Sequence, residues 1–243
     1  MQSWGLTDPG CVRKQNQDSY LIEKLDRHSL LCVVCDGMGG AKSGNIASTL
    51  AADVFVQEVR QSWKSHLDQE KTDQILRSAV KLANFTVYDQ AQQFEEFDGM
   101  GTTLVAVLIQ GKKATVVNVG DSRAYGIDRS GIRQITKDHS LVQMMVERGD
   151  LKPELAKSYP GKNFITRAIG TETFVMSDIY HLNAARGDYL LLCSDGLSNM
   201  MDDQEILFEV VHGVNKQHCC KRLLDIAKNR GAPDNVTSIL VVV

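Results

Sequence analysis

The sequence predicts an α+β fold in which two mainly antiparallel β-sheets pack face to face and are covered by helices. Three observations lead there. Short apolar runs joined by short turns imply antiparallel pairing. The long helical stretches fall in blocks and do not follow each strand, which excludes a doubly wound parallel sheet. About ten strands suit two packed sheets better than one.

The elements follow in order. Residues 2–7, 18–25 and 30–36 read as strands rich in Val, Leu, Ile and Cys. A helix is expected over 43–63, with Ile46, Leu50, Val54 and Val59 near helical spacing, and a second over 72–94, with Ile75, Val80, Leu82, Phe85 and Val87. Strands are expected at 102–109, 113–119, 123–128 and 131–136. Residues 139–160 read as mixed helix and loop. Strands at 163–168, 175–181 and 188–194 precede a helical region over 203–230 and a last strand, 235–243.

The chain has 243 residues with 43% hydrophobic and 23% charged, the composition of a globular protein and not of a disordered one. No Pro/Ser-rich linker or repeat divides it, so one domain spanning 1–243 is expected. Lys and Arg number 27 against 30 Asp and Glu, a net charge of −3, which gives no support for nucleic-acid binding. No apolar run approaches the roughly 20 residues of a membrane span. The N-terminus lacks the charged and apolar regions of a secretory signal, so a cytoplasmic location is expected.

Several motifs fail on inspection. Cys32 and Cys35 form a CxxC, but on a strand residues three apart face opposite ways, and no second pair completes a zinc set. Gly37-Met38-Gly39-Gly40 completes no GxGxxG, and Gly39 and Gly44 have Walker spacing without the Lys-Ser/Thr. Cys193-Ser194-Asp195-Gly196 lacks the first glycine of a nucleophile elbow. The aspartates are more informative. Asp18, Asp36, Asp121, Asp195 and Asp234 each lie at the end of an apolar strand, where side chains converge at one edge of a sandwich. Such carboxylates are costly to bury unless bonded or metal-bound, and an all-oxygen set suits Mg²⁺ or Mn²⁺. Asp-Gly is also a turn dipeptide, so spacing alone leaves both readings open.

At these residues the sequence resembles the metal-dependent protein phosphatases of PP2C type, the PPM family, in their bacterial branch. The matching motifs run in the family's order: Arg13-Lys14-Gln15-Asn16-Gln17-Asp18, Asp36-Gly37-Met38-Gly39-Gly40, Gly101-Thr102-Thr103, Gly120-Asp121-Ser122-Arg123, Asp138-His139-Ser140, Ser194-Asp195-Gly196-Leu197 and Asp234-Asn235-Val236-Thr237. The resemblance implies a four-layer αββα sandwich with a metal centre at one edge. It implies that Asp36 bridges two ions, that Gly37 offers its carbonyl to the second, and that Asp195 and Asp234 hold the first. It further implies that Asp18 orients water, that Asp121 and Asp195 share a third ion, and that Arg13 holds the substrate phosphate. Residues 141–165 correspond to a flap beside the site, its base supported by Asp138, His139 and Ser140. Met38 stands where many relatives have a histidine proposed as general acid, and Gln17 where many have Glu.

The expected activity is hydrolysis of phosphoserine and phosphothreonine on proteins, by direct attack of water held between the ions. Mn²⁺ or Mg²⁺ is the expected cofactor. The expected partners are phosphoproteins and a Ser/Thr protein kinase that the enzyme opposes, with no nucleic acid or membrane and a monomeric state. The alternatives are the same chemistry on phospho-Tyr, phospho-Arg or an anti-sigma antagonist, a silent phosphoprotein-binding module, and a metal-stabilised structural domain. An intact Asp set disfavours the second, and Arg13 with the flap the third.

Overall fold

The computed structural model describes residues 1–65 and 67–243, and within them every side chain but those of residues 40–42, 157 and 158. Strands β1 (Gln2–Asp8), β2 (Asp18–Lys24) and β3 (Ser29–Met38) precede helices α1 (Gly40–Ser62) and α2 (Gln69–Gln93). Strands β4 (Gly101–Thr102), β5 (Leu104–Gln110), β6 (Lys113–Val119), β7 (Arg123–Asp128) and β8 (Gly131–Gln134) follow, then α3 (Leu141–Arg148). The chain closes with β9 (Asp178–Asn183), β10 (Tyr189–Cys193), α4 (Asp195–Ser198), α5 (Asp203–His212), α6 (Cys219–Asn229) and β11 (Val236–Val242). One sheet has the order β1-β11-β10-β7-β8; the other runs β2-β3-β5-β6-β9, with β4 on β3. Every pairing within them is antiparallel.

The four layers follow from strands that are apolar on both faces. On β3, Leu31, Val33 and Cys35 pack toward α1 and α2, while Leu30, Cys32 and Val34 meet the second sheet. Cys32 and Cys35 therefore point into different layers, and burial pushes both thiols well above their usual range. On the other sheet, Leu191, Cys193 and Leu240 face α5 and α6, and Leu190, Leu192 and Ile239 face inward. Each such buried aliphatic contributes about 1.5–3 kcal/mol, so the apolar runs fix the strand registers.

Caps set the helix starts. Asp68 accepts from the Lys71 amide, and Asp202 and Glu205 form a capping box on α5. Some expectations need correction. Residues 163–168 form no strand and make only an isolated bridge, Ser140 to Ile165. β9 holds that edge of its sheet, and the segment is anchored instead at its end, where Ile169 and Thr102 exchange backbone bonds of 2.8 and 3.0 Å. Strand 102–109 breaks at Thr103, which turns aside to bond Asp36. The 203–230 region is two helices, the first closed by Lys216 on the Val210 and Val211 carbonyls. Leu82 and Phe85 are exposed, the buried face of α2 being Leu76, Ala79, Val80, Ala83 and Val87. The start of β9 falls at 178, not 175, because residues 170–177 run along α2, tied by Asn84 and Arg77. Among the described residues, no helix is long and apolar enough to cross a membrane.

Candidate active site

The strand ends converge on a cavity of about 600 Å³ lined by Arg13, Gly37, Asp36, Asp121, Asp195 and Asp234, among others. That volume lies within the usual range for small-ligand sites. All four lining aspartates come from different segments, and the fifth expected residue, Asp18, lies beneath them, 8% exposed.

Asp36 sits in β3 opposite Asp18 of β2. Its amide donates to Thr103 Oγ1 at 2.9 Å, and its carbonyl accepts from the Thr103 amide and the Thr102 hydroxyl. Gly37 follows in a position only glycine can occupy, since a Cβ would stand 2.0 Å from the Gly44 carbonyl oxygen. Asp195 opens α4, its Oδ2 accepting from Asn199 at 3.0 Å. The turn after it is drawn against the Asp234 segment, where a Cβ on Gly196 would meet the Asn235 carbonyl at 2.0 Å. Asn235 clamps the 9–17 loop, donating to the Pro9 and Gln15 carbonyls and accepting from the Gln17 amide at 2.8 Å. Arg13 donates through Nη2 to Asp234 Oδ2 at 2.8 Å, from a rim position where its side chain is 54% exposed.

The electrostatics are those of crowded like charges. Burial first, and then Asp18, Asp195, Asp121 and Asp234, push the Asp36 carboxyl well above the usual carboxylate range. Asp121 is pushed up to about 8 by burial and by Asp195 and Asp138. Asp18 is pushed up to about 7 by burial, against the pull of bonds from Thr237 and Ser194. Its Oδ2 accepts both hydroxyls, at 2.6 and 2.7 Å, while Oδ1 is buried with no partner among the described residues. Among the described residues, no three His, Cys, Asp or Glu side chains are gathered closely enough to hold an ion as they stand. The aspartates ring the cavity instead. An all-oxygen set of mutually repelling carboxylates around an open space is the donor chemistry that hard divalent cations take, and their charge would relieve the repulsion.

Thr103, Asn235, Asn163 and Ile165 also shape the site, though no role was read for them in the sequence. Thr103 and Asn235 lie inside motifs, but their role as clamps depends on segments far away in the chain. Asn163 and Ile165 line the cavity from the 141–165 segment, with no local pattern to mark them.

A sequence model of the family described as Protein phosphatase 2C matches residues 12–226. A Listeria monocytogenes protein named serine/threonine phosphatase stp is 33% identical over 238 residues, covering 97% of this chain and 93% of its own. The solved Staphylococcus aureus serine/threonine phosphatase Stp1 superposes with a TM-score of 0.91 at 36% identity, covering 100% of this chain and 94% of its own. The catalytic domain of the phosphatase PstP, solved with two manganese ions, gives a TM-score of 0.84 at 32% identity, covering 98% and 96%.

Proposed function

The chain belongs to the protein phosphatase 2C family and is a metal-dependent protein serine/threonine phosphatase of that type, and we propose that the aspartates around the cavity carry its reaction. In this reading Asp36, Asp195 and Asp234, with the Gly37 carbonyl, hold two divalent cations, and Asp121 with Asp195 holds a third. Mn²⁺ or Mg²⁺ fills these sites. The observation that carries the reading is the meeting of four carboxylates from separate segments on one cavity with an arginine at its rim.

Bound divalent cations would lower the pKa of water and offset charge on the phosphoryl oxygens. The chain's own groups do the rest. Arg13 binds the phosphate, its planar fork matching two oxygens at once; its bond to Asp234 keeps it at the cavity mouth. Asp18 offers its unbonded Oδ1 to orient the attacking water, Oδ2 being held by Ser194 and Thr237. Thr103 and the β2–β3 pairing hold Asp36 in place. Met38 lines the cavity and cannot donate a proton, so the leaving alkoxide takes its proton from water or from another residue.

The enzyme acts on phosphorylated proteins. We place it in the cytoplasm, a location in keeping with its free cysteines, and read it as a monomer opposing a Ser/Thr protein kinase. The 141–165 segment serves as the flap of a single catalytic domain. The test is hydrolysis of a phosphoserine peptide and of p-nitrophenyl phosphate with Mn²⁺ and after exhaustive chelation. Activity is expected only with the cation; full activity in the chelated enzyme overturns the metal assignment.

A further inference from the structure

Asp121 lies where neither sheet neighbour can hold it. The pairing of β6 with β5 ends at Val119 opposite Leu104, and with β9 at Asn118 opposite Asp178. Gly120 is one residue beyond, at φ 106, and a Cβ there would stand 2.6 Å from Thr103 Cγ2. Its buried N–H thus needs a partner from elsewhere. His139 supplies it: Gly120 donates to His139 Nδ1 at 3.0 Å. The Gly120 carbonyl is held too, by the His139 amide at 2.9 Å and Asn118 Nδ2 at 3.1 Å.

The ring itself is fixed. Accepting at Nδ1 leaves the proton on Nε2, which donates to Asp178 Oδ2 at 3.1 Å; Arg167 Nη1 stands 3.2 Å from the same nitrogen and donates to Asp178 Oδ1 at 2.9 Å. The imidazole is 5% exposed. The same residue carries the segment across the cavity: its carbonyl accepts from the Thr166 amide at 2.7 Å, and Leu141 donates to Phe164 at 2.8 Å. Asn163 and Ile165, which line the cavity, hang from that anchor.

We propose that His139 is a positioning residue whose neutral imidazole, by holding Gly120, sets where Asp121 faces the cavity and ties that placement to the 163–167 segment. This rests on the reading that Asp121 serves a cation. A residue that merely filled space would affect stability and not the placement of one carboxylate.

The test uses the full chain, Mn²⁺ as the probe ion and p-nitrophenyl phosphate. In His139→Gln the longer amide reaches toward Asp178 and leaves Gly120 without an acceptor; in His139→Asn the side-chain carbonyl stands near the place of Nδ1. His139→Gln is expected to lower kcat by about tenfold with KM within about twofold, a loss confined to the reacting state. Calorimetric titration of the same variant is expected to show the weakest Mn²⁺ site weakened and the others unchanged. His139→Asn should recover most of both. In an Asp121→Ala background, His139→Gln should add less than about twofold, because coupled positions do not add. If His139→Gln lacks a native near-UV circular dichroism spectrum, Asp178→Asn, which unties the ring and keeps the acceptor, carries the same measurements with a smaller expected loss. An undiminished loss in the Asp121→Ala background, or no recovery in His139→Asn, overturns the proposal. Wild-type turnover in Asp121→Ala alone overturns instead the reading beneath it.

Discussion

Asp36 and Asp121 face the same cavity but are held there by different means. Asp36 lies within β3, with Asp18 opposite it and Thr103 bonded to its backbone. To move it by one residue would turn Leu30–Cys35 onto the wrong faces of two apolar layers, so the whole core guards its position. Asp121 lies past the last pair of β6, in a turn held by side chains. Besides His139, Ser122 bonds Thr103 at 2.7 Å, and Arg123 grips Asp138 through Nε at 3.0 Å and Nη2 at 2.6 Å. A ladder of strands forms cooperatively with the fold, whereas a side-chain clamp can be released by one substitution. The strand-held wall is expected to be all-or-none, and the rim graded.

The largest effect is expected at Asp195, which opens α4 just past β10 and is read as serving both cation groups. Asp195→Asn should cut turnover by about a thousandfold or more, at least ~4 kcal/mol of barrier, with an unchanged circular dichroism spectrum. Turnover within about threefold of wild type would overturn its role as a cation ligand. Asp121→Ala comes next. A drop of about a hundredfold is expected, while calorimetry still counts two tightly bound Mn²⁺; a count of one would move Asp121 into the wall and erase the distinction.

Arg13 is the rim residue with the smaller stake. Loss of a charge-assisted bond to phosphate is worth roughly 1.5–3 kcal/mol, so Arg13→Ala should raise KM by about tenfold or more, with Arg13→Lys recovering part. Mn²⁺ affinity should not weaken, because the substitution also frees Asp234 from its ion pair. If both kinetic constants stay at wild-type values, the cations alone hold the phosphate.

The smallest effect is on stability and compares the layers directly. Asp18 and Asp121 titrate near 7 and 8 in the folded chain, above the ~3.9 of an unfolded aspartate. Across that window the folded state binds more protons, so stability of the cation-free protein falls as pH rises through it. His139, held below its ordinary value by burial, acts in the other direction only in acid, below about pH 6.5. Thermal unfolding with chelator should therefore show a Tm a few degrees lower at pH 8 than at pH 6.5. Asp121→Ala should flatten that slope, and saturating Mn²⁺, which needs ionised ligands, should reverse it. A slope unchanged by Asp121→Ala would assign it to Asp18 and Asp36 instead.

Sequence alone determined the layered architecture. Strands such as 113–119 and 123–128 were read with the bounds the structure has, because apolar runs closed by Gly and Asp leave little choice of register. It also determined which aspartates meet, since each ends an apolar strand and the motifs around them resemble one family. The tertiary structure alone decided what steadies them. Asn235 clamps Gln15 and Gln17 from 218–220 residues away, and His139 finds Gly120 from 19. Thr103 leaves its strand for Asp36, and 163–168 gives up a strand for the cavity wall. Burial of apolar side chains depends on local pattern and is written along the chain. A hydrogen bond to one buried amide depends on where two distant segments come to rest, and that position exists only once the layers have packed.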